Sequence, residues 1–236
     1  MIWAPLRTRT VAWGFESQLP VGLNDVVAAS LDGNDGGIAL RRSGIVKTWG
    51  SGGSYPNELP QGVNDVVAVA TSGNDKVVLR ADGTIVGTGR LHTVPTGLNK
   101  VVQITCGRDF GVVLRSDGSV ITWDNEGIAG FHRPPLGLSD VVGIAAGGYH
   151  VMALKSDGTV VTWGNYRSGS SVDTSLFVPS DLHDVAAIAV GPGHSVILKT
   201  DGTVLSWGSR YQSLPPRRPT CAMWWLSRQV ATTRWH

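Results

Sequence analysis

One pattern returns along the chain and governs what it can fold into. Residues 138–164 read LSDVVGIAAGGYHVMALKSDGTVVTWG. The pattern recurs as VNDVVAVATSGNDKVVLRADGTIVGTG (63–89), LNKVVQITCGRDFGVVLRSDGSVITWD (98–124) and LHDVAAIAVGPGHSVILKTDGTVLSWG (182–208). A looser copy, LNDVVAASLDGNDGGIALRRSGIVKTWG, occupies 23–50. The tryptophan position of the five units is held by Trp49, Thr88, Trp123, Trp163 and Trp207, at spacings of 39, 35, 40 and 44 residues. An earlier Trp13 stands 36 residues before Trp49. A fixed period of this length means one supersecondary unit repeated, each copy burying its faces on its neighbours.

Each unit reads as three short strands. The first is an apolar run such as Val141–Ala146, and the second a stretch such as Val151–Lys155. A two-residue Asp-Gly turn follows at Asp82-Gly83, Asp117-Gly118, Asp157-Gly158 and Asp201-Gly202. Asp-Gly suits a type I′ hairpin, in which both central residues take positive φ. The third strand alternates, with Val160 and Thr162 on one face and Val161 and Trp163 on the other. No helical periodicity competes over a long window.

The motifs DVVxIAxG, a second strand opened by His150 or by His194-Ser195, and DGTVxxWG together resemble the RCC1-type β-propeller repeat in its short bacterial form with three-stranded blades. A VPxGL linker supports this at Val94–Leu98 and, degraded, at Leu19–Leu23. The resemblance spans roughly residues 4–210. It implies an all-β, RCC1-like β-propeller of about five whole three-stranded blades plus a partial N-terminal blade (unit 4–14), with closure incomplete. Residues 1–209 form that domain and 210–236 a non-repeat tail.

The tail holds CAMWWLSRQVATTRWH (221–236), which matches no unit. Reverse-translated and displaced in frame, it can read LRDVVAIAAGGYHSVA, close to LSDVVGIAAGGYHVMA at 138–153. Both valines and the last alanine of that reading are forced by the codons for Met223-Trp224-Trp225 and Trp235-His236. Residues from about 217 onward are therefore read as a frame-displaced copy of the next repeat. The alternative is a divergent tail whose tryptophans cap the last blade.

Charge argues against polyanion binding. Twenty Lys and Arg against eighteen Asp and Glu leave +2, with no run of five like charges, so no nucleic-acid or membrane partner is expected. The chain has no signal-peptide pattern at its start, and the default compartment is cytoplasmic, although the N-terminus may be truncated. Cys106 and Cys221 make neither a disulfide framework nor a metal spacing.

The tryptophans of the repeat are read as packing residues between blades, and Thr88 as marking a thinner blade. His150 and His194 share a second repeat position, to which Asp35, Asp75 and Phe110 also align. They fall on different blades, so a structural role outweighs a metal site. No P-loop, HExxH, GxSxG or dinucleotide fingerprint occurs. No catalytic, cofactor or metal residue is assigned, and no cofactor is expected. What varies is the linkers, 51–62, 90–97, 125–137 and 165–181. Their aromatic and basic residues Tyr55, His92, Phe131, His132, Arg133, Tyr166, Arg167 and Phe177 are the candidate contact set.

The function expected is a non-catalytic protein–protein interaction module presenting inter-blade loops to an unidentified protein partner. One alternative is a propeller enzyme of lyase or hydrolase type using the His150 position. Another is a truncated fragment of a longer RCC1-repeat protein with no independent activity. Guanine-nucleotide exchange with chromatin binding, implied by the best-known relative, carries over poorly because the chain lacks a basic N-terminal arm.

Overall fold

The computed structural model describes residues 23, 25–31, 36–50, 59–72, 75–124, 132–164 and 178–208. The partial unit 4–14 and the tail 210–236 lie outside them. Fifteen strands form five separate three-stranded antiparallel sheets, each ordered first-second-third. Blade 1 holds β1 (Val26–Leu31), β2 (Gly37–Arg41) and β3 (Val46–Trp49). Blade 2 holds β4 (Val66–Ser72), β5 (Asp75–Arg80) and β6 (Ile85–Gly87), followed by a 3-10 turn at Gly89–Leu91. Blade 3 holds β7 (Val101–Gly107), β8 (Phe110–Arg115) and β9 (Val120–Asp124). Blade 4 holds β10 (Val141–Ala146), β11 (His150–Lys155) and β12 (Val160–Gly164). Blade 5 holds β13 (Val185–Val190), β14 (His194–Lys199) and β15 (Val204–Gly208). First strands lie beside first strands from blade to blade, so they form the inner layer of the arc.

The faces between blades are apolar because period-two alternation on the second strand serves both neighbours. Val112 and Leu114 of blade 3 meet Ile144, Val151, Ala153 and Trp163 of blade 4. Met152 and Leu154 of blade 4 meet Ile188, Ile197 and Trp207 of blade 5 in the same way. The repeat tryptophans thus pack on the preceding blade.

The loss of the indole at Thr88 is matched by a change across the hairpin. Where the third strand carries Trp49 or Trp123, the residue opposite is Gly37 or Gly111, and a Cβ there would run into the indole ring. In blade 2 the indole is absent and the residue opposite Thr88 is Lys76, fully buried, with its amide donating to Thr88 Oγ1 at 3.2 Å. A long, fully buried side chain on the second strand thus stands where blades 1 and 3 have glycine beneath an indole. Leu91, also fully buried, comes from the 3-10 turn and packs in the core between blades 2 and 3 with Val77, Leu79 and Val113.

The hairpin between second and third strands is not type I′. Gly83, Gly118, Gly158 and Gly202 have positive φ, but the preceding aspartates do not. Gly83 N–H donates to Arg80 C=O at 2.9 Å, and Arg80 N–H to Thr84 C=O at 2.9 Å. That is a type I turn followed by a left-handed glycine, the three-residue loop with a bulge. The aspartate is used through its side chain: Asp82 Oδ1 accepts from the Thr84 amide at 2.9 Å and its hydroxyl at 2.6 Å. Asp157 repeats this with Thr159. These bonds hold the Asp82, Asp117 and Asp157 carboxyls below the ordinary carboxylate value, with side-chain bonding to Thr84, Ser119 and Thr159 the main cause.

Every first strand also begins alike. A residue in left-handed conformation precedes it: Asp25 (φ 61°), Asp65 (53°), Lys100 (55°), Asp140 (60°) and Asp184 (57°). Its carbonyl accepts from the amide that follows the second strand, as in Ser156 N–H to Asp140 C=O at 2.9 Å. The register then slips by one residue, leaving Val27, Val67, Val102, Val142 and Ala186 as the extra residues of a bulge.

Candidate functional site

The second repeat position opens each second strand. Register places Gly37 opposite Trp49, as Val151 stands opposite Trp163, so Gly36 and not Asp35 aligns with His150. Asp35 itself lies outside the described residues. The remaining members are Asp75, Phe110, His150 and His194. Asp75, Phe110 and His150 are buried, and His194 is half-buried. His150 Nε2 is hydrogen-bonded to Ser195 Oγ of blade 5 at 3.0 Å, with both residues sealed from solvent. It latches one blade to the next. Burial lowers the His194 pKa.

Cys106 lies in the inner strand of blade 3 at 4% exposure. Desolvation pushes its thiol up, Asp75 adds to this and Lys76 opposes it. A thiol so held is a poor nucleophile. Among the described residues no group of three or more His, Cys, Asp or Glu is placed to hold a metal ion. No helix among them is long and apolar enough to cross a membrane.

Of the candidate contact residues, Tyr55, Phe131, Tyr166, Arg167 and Phe177 lie outside the described residues. His92 is exposed just after the 3-10 turn, its Nδ1 2.9 Å from Gly89 C=O. His132 is half-buried. Its ring stacks on Phe110 with centroids 3.9 Å apart and planes at 13°, and its carbonyl accepts from the Trp163 indole N–H at 2.8 Å. Burial lowers its pKa, with Asp124 and Asp109 opposing. Arg133 next to it is exposed. Thus His132 anchors its linker to blades 3 and 4 through the Phe110 stack and the Trp163 bond.

Three cross-blade contacts went unread in the sequence. Gln103 offers its side-chain amide to blade 4 as a strand offers its backbone. Its Nε2 donates to Ile144 C=O at 2.9 Å, and its Oε1 accepts from the Ile144 amide at 3.0 Å. At the far end of the same strand Arg108 Nη1 donates to Tyr149 Oη at 2.6 Å, with the guanidinium 5.7 Å over the ring. Ser30 Oγ accepts from the Thr71 amide at 3.2 Å between blades 1 and 2. Gln103 could have been noticed as a lone amide in a position otherwise held by Ala28, Ala68, Gly143 and Ala187.

The family description "Regulator of chromosome condensation (RCC1) repeat" matches residues 141–169 and 185–210, over blades 4 and 5. The chain is an RCC1-like repeat β-propeller. Solved structures agree on the fold. The entire ectodomain of the Physcomitrella patens receptor kinase CR4 is 22% identical with a TM-score of 0.65, over 79% of this chain and 52% of that one. The CRINKLY WD40 ectodomain of the Arabidopsis thaliana receptor kinase ACR4 is 22% identical with a TM-score of 0.58, over 77% and 65%. Yeast RCC1 (Prp20), solved bound to Kap60, is 20% identical with a TM-score of 0.54, over 73% and 54%. This RCC1-like chain therefore spans between 52% and 65% of the length of those three. No curated protein sequence matches it.

Proposed function

We propose that this propeller is a non-catalytic protein-binding scaffold. The observation that carries the reading is the fate of the repeat position that the enzyme alternative would use. Asp75 and His150 are sealed between blades, and the His150 imidazole is engaged with Ser195. A substrate could not reach them without separating the blades. An RCC1 relative of this fold is itself known in complex with a protein, Kap60, and rigid repeats with divergent linkers suit recognition.

Immobilised chain should retain a defined protein from a lysate of its source organism. That protein, once purified, should bind in calorimetry with equal affinity to wild type and to His194→Gln. Recovery of nothing above a blank matrix would overturn the reading. Loss of binding with gain of a turnover assay for the captured species would favour the enzyme alternative.

A further inference from the structure

In blades 2, 3 and 4 the bulge at the start of the first strand leaves a valine facing solvent on the inner layer. Val67, Val102 and Val142 are 40%, 46% and 50% exposed, although the valine one residue earlier is buried in blades 2 and 4 and half-buried in blade 3. Their strands lie side by side, so the three form an apolar rim at the end of the propeller that carries the Asp-Gly turns. Leu136, in the turn leading into β10, is fully exposed and extends the rim at blade 4.

Charge on the rim is mainly negative over blades 4 and 5. Asp140 and Asp184 immediately precede the inner strands, and Asp181 lies in the turn before β13. Their side-chain partners are a hydroxyl or an imidazole: Ser139 on Asp140, Ser180 on Asp181, His183 on Asp184. Of the cations at this end, Lys155 pairs with Asp157 of the hairpin at 3.5 Å, while Lys199 stands opposite Val185 at the end of β14. Over blades 4 and 5 the aspartates Asp140, Asp157, Asp181, Asp184 and Asp201 outnumber these two lysines.

We propose that this rim is the docking surface for a partner segment carrying an apolar side chain flanked by lysine or arginine. The apolar residue would cover Val102, Val142 and Leu136, and the cations would meet Asp140, Asp181 and Asp184. Single exposed valines are ordinary on a protein surface. A repeat-aligned row of them, bordered by carboxylates with no lysine or arginine partner among the described residues, is the complement of a basic, apolar-tipped peptide. The inference rests on the protein-binding reading and gives it a face and a partner chemistry.

The test is selection of a displayed library of random twelve-residue peptides on the full chain. Enriched peptides are then synthesised and titrated by fluorescence anisotropy. Enrichment should favour Leu, Met or Phe beside Lys or Arg. Val102→Gln/Val142→Gln should weaken binding ten-fold or more. Asp140→Asn/Asp184→Asn, which keeps residues tolerant of the left-handed conformation, should weaken it several-fold and flatten its salt dependence. Circular dichroism should stay at wild type for both, and Arg133→Ala on the linker should bind normally. Acidic enriched peptides, or peptides that ignore both rim variants, overturn the rim. If those peptides respond to Arg133→Ala instead, the protein-binding reading survives and the linkers carry it. If the library yields nothing while lysate capture succeeds, the rim again fails alone.

Discussion

At the scale of the residue, the most informative position is Lys76. A buried ammonium group costs several kcal/mol unless it is partnered, and lysine is seldom fully enclosed. Its presence follows from the residue across the hairpin. Glycine faces tryptophan in blades 1 and 3, and lysine faces threonine in blade 2. The pair should behave as a unit. Thr88→Trp alone should destabilise the protein by about 2 kcal/mol or more through overpacking. Combined with Lys76→Gly it should cost much less than the sum of the single changes, with a coupling on the order of 1–2 kcal/mol in a urea double-mutant cycle. Simple additivity would show that the two side chains do not share one volume.

At the scale of the element, the same joint is built five times with one substitution. The left-handed residue before each inner strand is aspartate in four blades and Lys100 in blade 3. A left-handed residue with a long side chain costs roughly 1–2 kcal/mol, and Asp or Asn bears it better through local hydrogen bonding. Lys100→Asp should therefore stabilise the protein by on the order of 0.5 kcal/mol, read as a raised urea midpoint with unchanged slope. A lowered midpoint would mean that the Lys100 charge matters more than the backbone. The strands and hairpins were legible because they depend on alternation and on glycine within a few residues. The turn type was not, since Asp-Gly fits two loops, and blade 1 makes the same one at Ser43-Gly44-Ile45 with neither the aspartate nor the threonine. The bulge was hidden in an innocuous Val-Val pair, because a register slip shows only against the partner strand. His132 read as a free contact residue for a similar reason: what covers it is Phe110, more than twenty residues earlier on another strand.

At the scale of the whole molecule, the two faces of a blade can be compared along the array. The residue pairs that receive the following blade are Ile38 and Leu40, Val77 and Leu79, Val112 and Leu114, and Met152 and Leu154, all buried. In blade 5 the same pair is Val196 and Leu198, and both are only half-buried. That face has the chemistry of a site for another sheet. Replacing residues 217–236 by the frame-restored LRDVVAIAAGGYHSVA, continued by a second and third strand copied from blade 4, should raise the melting temperature by several degrees. It should also protect β14 amides from hydrogen exchange. An unchanged melting temperature would show that blade 5 needs no successor and would favour a genuine tail.

The trade of glycine under tryptophan, or lysine beside threonine, is closed within one blade, whereas the Gln103 and His150 bonds straddle a boundary. A unit copied or moved by recombination takes its own internal fit along, so gain and loss of repeats is mechanically cheap for such a gene. The boundary bonds would then arise afterwards, one junction at a time. A moved unit would leave such bonds behind and have to pack at its new junctions without them.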